Sequence, residues 1–221
     1  MLIGSNMAFF AGGPSPVVCT LTDHAVDSAN ASSYTFSAKS LGAASADRKI
    51  VVAALRNSGG STAGVSSMTI GGISATLIVA KNHVNECNSE LWQANVPTGT
   101  TGDIVVNWGS SANRMGIGVW AVTGAAAAAY ATSSSGSSVD NLTTTINCPA
   151  SGCVIAGAAG NSSTFVWSGV TERFEDAPEG TNQKGSGASD NFAAAQTGLT
   201  VACATTGGGD SSMVVCSFGP L

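Results

Sequence analysis

The hydrophobic and polar positions of this chain alternate with a period of two. In SELWQANVPTGTTGDIVVNW, residues 89–108, the side chains of Trp92, Ala94 and Val96 share one parity. After the turn-like Pro97–Gly102 stretch, Ile104, Val106 and Trp108 share a parity again, while Asp103 and Asn107 take the other. This period predicts antiparallel strands with one buried face. Further candidates lie at 17–22, 33–38, 49–56, 65–70, 75–80, 114–123 and 141–147, and then at 153–159, 164–174, 187–196, 199–205 and 212–218. Between them stand Gly-Gly, Asn-Ser-Gly-Gly, Ser-Ser-Gly-Ser and Gly-Gly-Gly-Asp, which are turn chemistry.

The sharpest local signal is VSSMTIGGISATLIVA, residues 65–80. Gly71-Gly72 supplies the positive φ angles of a two-residue hairpin turn. No segment predicts a stable helix. The Ala-rich TGAAAAAYATSS, 123–134, is short and has no polar face, so it reads as a turn or a connecting strand. SSSGSS, 133–138, is the most linker-like stretch, yet the two flanking parts have similar composition. The expected architecture is an all-β, antiparallel, jelly-roll-like β-sandwich of about 12 to 15 strands. Residues 1–16 form an N-terminal arm, and 17–221 form a single sandwich built from strands of both halves.

Composition narrows the function. Only 10% of the 221 residues are charged and the net charge is −5. The eight Lys and Arg are scattered, which argues against a nucleic-acid partner. No apolar run is long enough for a membrane span. The first residues, MLIGSNMAFF, lack the basic start and unbroken apolar core of a secretory leader, so they read as an apolar arm. Leu2, Ile3, Phe9 and Phe10 are its candidate docking side chains.

Candidate chemistry is sparse. Two histidines, His24 and His83, stand near Asp23, Asp27 and Glu86, but no serine lies in a nucleophile elbow. GGGDSS, 207–212, shares Gly-Asp-Ser with trypsin-like proteases but lacks the Gly-Gly that follows it there, and reads as a turn. His83 reads as a solvated loop residue. Glu172, Glu175, Asp176 and Glu179 do not follow a calcium-loop pattern and read as a solvated strand end. No catalytic residue, metal site or cofactor is expected.

Six cysteines remain. Cys19, Cys148, Cys203 and Cys216 share parity with apolar neighbours and read as small core residues. Cys148 and Cys153 flank a four-residue loop, where a disulfide is geometrically possible. Cys87, in polar HVNECNSE, is the candidate exposed thiol or intermolecular bridge. Trp92, Trp108 and Trp120 read as core, and Trp167 is the candidate exposed indole for a glycan contact.

ADRKIVVAAL, VSSMTIGGISATLIV, ELWQANVPTGTTGDIVVNW, GIGVWAVTG and the terminal MVVCSFGP together resemble the β-sandwich virion proteins of tailed bacteriophages. The similarity spans most of residues 33–219 and rests on structural motifs, not catalytic ones. It implies a structural, non-enzymatic role on the virion, assembled in the host cytoplasm, with capsid decoration first. A tail, collar or fibre module that binds host glycan or protein comes second, and a secreted carbohydrate-binding domain third. The implied partners are the major capsid protein or neck and tail components, together with further copies of the chain. The cysteines depart from the family pattern, in which Ser, Ala or Val commonly fills those strand positions.

Overall fold

A computed structural model describes residues 15–57, 63–83, 87–112, 114–138, 141–161, 164–178, 184–207 and 209–221. Every regular element among them is a strand. The first nine are β1 (Val18–Asp27), β2 (Ala31–Ser40), β3 (Lys49–Asn57), β4 (Val65–Ile70), β5 (Ile73–Ser74), β6 (Thr76–His83), β7 (Cys87–Asn95), β8 (Thr101–Ala112) and β9 (Met115–Thr123). The second half contributes β10 (Ala131–Ser137), β11 (Leu142–Cys148), β12 (Gly152–Gly160), β13 (Thr164–Ser168), β14 (Glu172–Asp176), β15 (Lys184–Phe192), β16 (Gln196–Thr206) and β17 (Ser211–Phe218). The β-sandwich class is as the periodicity predicts, with 17 strands rather than about 12 to 15.

The strands form four antiparallel sheets, and each sheet draws on one half of the chain only. The first half builds a large sheet, β1-β9-β3-β7-β6, and a small one, β2-β8-β4-β5. The second half builds β10-β17-β12-β15-β14 and β11-β16-β13. This differs from a sandwich that mixes strands of both halves. The two large sheets lie face to face, and each small sheet covers the outer side of its large neighbour, which makes four layers.

Three apolar cores fill the three gaps. Ile50, Val52 and Ala54 of β3 face β8, whose Ile104, Val106 and Trp108 complete the first core. Val51, Ala53 and Leu55 point the other way, into the central core, where Cys153, Ile155 and Ala159 of β12 meet them. Val154, Ala156 and Ala158 of β12 face Leu142, Val201 and Cys203 in the third core. The inner strands of the large sheets are therefore buried on both faces, so β12 and the 50–55 and 213–216 stretches of β3 and β17 read as continuous apolar runs. Strands of the small sheets have one wet face and alternate.

The halves repeat one topology. Replacing β1, β9, β3, β7 and β6 by β10, β17, β12, β15 and β14 turns one large sheet into the other, in the same order. The same correspondence carries β2-β8-β4 onto β11-β16-β13 and leaves β5 alone unmatched. Packing between the halves is reciprocal as well. β1 lies against β14 as β6 lies against β10, and β9 against β15 as β17 against β7. A pairing in which equivalent elements exchange contacts is the geometry of a two-fold, isologous interface.

Several local expectations are settled. Gly71 and Gly72 adopt φ values of 57° and 79°, and Ile70 pairs with Ile73 across them. The hairpin stops there, because β6 crosses to the large sheet and pairs with β7. β7 and β8 do not pair with each other either. β7 joins β3 and β6, while β8 joins β2 and β4. The single strand expected over 164–174 is two strands in different sheets. Gly169, at φ 83°, turns between them so close to Thr200 that a Cβ would lie 2.0 Å from its carbonyl oxygen. SSSGSS is no linker: β10 runs through Ser133–Ser137 and pairs with β17. The connector between halves is instead Gly124–Tyr130. It stays non-helical because its groups are engaged elsewhere: Lys49 Nζ donates to the carbonyls of Ala126 and Ala127, at 2.6 and 2.7 Å, and Ala126 N–H donates to Gly219.

Candidate interaction surface

Charged side chains inside the fold are occupied in holding it together. Arg48 is fully buried and donates all five of its N–H groups to backbone carbonyls, those of Leu41, Gly42, Val96, Thr98 and Gly99. Lys49 lies over the Phe218 ring at 4.7 Å, and burial lowers its pKa. Glu90 accepts from Trp92 Nε1 at 2.8 Å and from Val65 N at 3.0 Å, and burial raises its pKa. Arg56 sits over Trp108 at 5.1 Å and donates to Ala63 O.

Both histidines stand on the seam between the halves. His24 pairs with Asp176 at 2.7 Å and stacks on Phe174, with ring centroids 5.2 Å apart. His83, at the end of β6, lies 3.5 Å from Asp210 and 3.1 Å from Ser138 Oγ, so it is a seam residue and not a solvated loop residue. In GGGDSS, Ser211 and Ser212 are buried members of β17. In the acidic segment Glu175 takes Lys184 and accepts from Phe165 N, and Asp176 takes His24, while Glu179 lies outside the described residues. Among the described residues no three His, Cys, Asp or Glu side chains gather as a metal site.

Corrections fall on the thiols and on one tryptophan. Cys87 is 1% exposed, and its Sγ donates to the Asp210 carbonyl at 3.0 Å, so it offers no surface thiol. Ser89 is buried on the same side against Ser212 of the second half, while Asn88 and Glu90 turn the other way and are buried against Ala63 and Val65 of the first half. Cys148 and Cys153 are unbridged and face different cores, Cys148 outward under the small sheet and Cys153 into the central layer. Burial pushes the Cys148 thiol up to about 11. Trp167 is half-buried against the third core, and its Nε1 donates inward to Ser186 Oγ at 2.8 Å, so it is no open indole platform. Trp92, Trp108 and Trp120 are core, as their parity predicts. The arm residues Leu2, Ile3, Phe9 and Phe10 lie outside the described residues.

One end of the molecule collects what an interaction surface needs. There the chain enters at Pro16, the connector passes, and the C-terminus closes. Val17 N donates to Ser151 O at 2.8 Å, Tyr130 N to Ser217 O at 2.8 Å, and Leu221 N to Gly124 O at 3.0 Å. These segments carry three of the exposed apolar side chains: Val18 at 50%, Tyr130 at 59% and Leu221 at 74%. A groove of about 510 Å³ here is mostly apolar and runs between Pro16–Val18 and Asn191–Ala193. Periodicity marks Val17 and Val18 only as strand residues, so the sequence alone does not point to this groove.

No family model and no curated protein matches this chain.

Proposed function

We propose that this protein is a structural subunit on the outside of a tailed-bacteriophage particle, with capsid decoration as its role. The observation that carries the reading is the apolar end at Pro16–Val18, Tyr130 and Leu221; the expected docking residues Leu2, Ile3, Phe9 and Phe10 precede it in sequence. An exposed apolar end with a groove suits a subunit that docks onto a neighbour and buries area there. Specific contacts of this kind bury roughly 1,200–2,000 Å². The rest of the body suits the same reading, since buried charges such as Arg48 and Lys49 brace loops. The sequence resemblance to phage β-sandwich virion proteins supplies the setting.

Imaging and quantifying purified particles tests the role. Decoration requires many copies spread over the shell. A handful of copies at the neck or tail would replace it with the appendage reading, in which the protein binds host glycan or protein. Deleting residues 1–10 is expected to abolish incorporation while leaving the thermal unfolding transition in place. The same outcome is expected of Tyr130→Asp combined with Leu221→Asp. Incorporation that survives all three changes would remove both the arm and the exposed Tyr130–Leu221 surface as the docking element.

A further inference from the structure

The fold brings together two cysteines that are 134 positions apart, one from each half. Val17 N donates to Ser151 O at 2.8 Å, which sets the start of β1 against the turn before β12. Cys19 and Cys153 each lie two residues further along. A second tie fixes them: the Asn191 side chain accepts from Cys19 N at 2.9 Å and donates to Cys19 O at 3.1 Å. Asn191 is itself the β15 partner of Cys153. The β1 backbone is therefore clamped to the strand beside Cys153, and both thiols point into the central core. There the neighbouring Cys19 side chain, together with burial, holds the Cys153 pKa well above its ordinary range.

Access is one-sided. Cys19 is 6% exposed and lines a 240 Å³ pocket with Thr20, Leu21 and Arg173, while Cys153 is fully buried behind it. The other thiols are placed differently. Cys216 shares this core but pairs with Ile155, two residues along β12 from Cys153. Cys148 and Cys203 lie in the third core, and Cys87 sits near Asp210.

We propose that Cys19 and Cys153 are an oxidation site that closes to a disulfide, stapling the first strand of one half to the central strand of the other. The oxidant is a small-molecule disulfide such as oxidised glutathione. The Cys19 thiolate attacks one of its sulfurs, forming a mixed disulfide and expelling one thiolate. Cys153 then attacks the Cys19 sulfur as it gives up its proton, and expels the second thiolate. One S–S bond breaks and one forms. Two electrons pass to the oxidant, and the two protein protons end on the two released small thiols. Such a bridge would form once the protein leaves a reducing compartment. The inference needs only the fold, whatever the particle or partner.

The test uses the full chain in its folded state, incubated with oxidised glutathione, quenched by alkylation and read by intact mass and peptide mapping. The expected product is lighter than the reduced protein by ~2 Da, from the two hydrogens lost in bridging. It carries one cross-linked peptide pair containing Cys19 and Cys153, with the other four cysteines alkylated once the protein is denatured. Closing so long a loop is expected to raise Tm by roughly 5–10 °C. Cys19→Ser should abolish the bridge, and Cys87→Ser should leave it unchanged. The proposal is overturned if all six thiols remain alkylatable, if glutathione stays on Cys19, or if the cross-link joins another pair. Mapping of the unsubstituted chain decides this even where a serine variant folds poorly.

Discussion

His24 Nδ1 lies 2.7 Å from Asp176 Oδ2, joining the edge strand of the first large sheet to the edge strand of the second across 152 positions of sequence. The pair is partly exposed, so solvent screens it. Beneath it, the buried Phe174 ring stacks on His24 and packs on Trp120 at 6.0 Å. The ring, not the ion pair, should hold the seam. Asp176→Asn is expected to change unfolding free energy by less than ~1 kcal/mol, and Phe174→Ala to cost about 3–5 kcal/mol. Urea denaturation of both variants measures the contrast, and equal effects would contradict it.

Phe174 fits only because two glycines leave room for it. A Cβ on Gly118 would lie 2.4 Å from its ring, and a Cβ on Gly187 would lie 2.3 Å from it. One glycine comes from each half, so the slot exists only when the halves are packed. Gly118→Ala and Gly187→Ala are each expected to destabilise by about 1–3 kcal/mol through overpacking. Adding Phe174→Leu should recover part of that loss. A double-mutant cycle measures the coupling, and strict additivity would show that the ring does not fill the slot.

Arg48 offers a sharper test of geometry. Its planar fork reaches five carbonyls from two loops, 41–42 and 96–99. Lysine has three donors on one atom and leaves at least two carbonyls unsatisfied in a buried site. Arg48→Lys is expected to cost about 2–4 kcal/mol despite keeping the charge. Amide exchange in both loops should speed up with it. A near-neutral substitution would mean that water replaces the guanidinium at little cost.

Glu90 predicts a pH dependence. Burial raises its folded-state pKa, partly offset by its bonds from Trp92 and Val65 and by Arg56. The folded protein therefore holds this proton more tightly than the unfolded chain does. That contribution to stability is complete below the ordinary glutamate range and is lost as pH rises through the raised folded value. The unfolding free energy of the wild type, minus that of the non-titrating Glu90→Gln variant, should fall across this window and level off above it. Chemical denaturation over a pH series reads the difference, and a flat difference would mean that Glu90 titrates as it does in water.

Much of the fold is legible in local pattern. The Gly71-Gly72 turn, the inward parity of Trp92 and Trp108, and the strand positions follow from short-range rules of backbone sterics and pleat. Errors arise where burial depends on a distant partner. Cys87 lies in a polar stretch and reads as exposed. It is buried because Asp210 and Ser212 of the other half cover β7, where Ser89 Oγ lies 2.9 Å from Ser212 Oγ. The candidate site was the least legible part. The apolar end joins Pro16, Tyr130 and Leu221, which share no motif and no spacing.

By itself the sequence determined that this chain is made of short antiparallel strands, where many of them lie and which of their faces are apolar. Those are properties of neighbouring residues, set by a two-residue pleat and by turn chemistry. Only the tertiary structure decided that each half closes its own pair of sheets in the same order and that the two halves share a central core. It alone set Cys19 over Cys153 and His24 against Asp176. Which apolar face meets which is settled by packing between segments more than a hundred residues apart, and no local period records that choice.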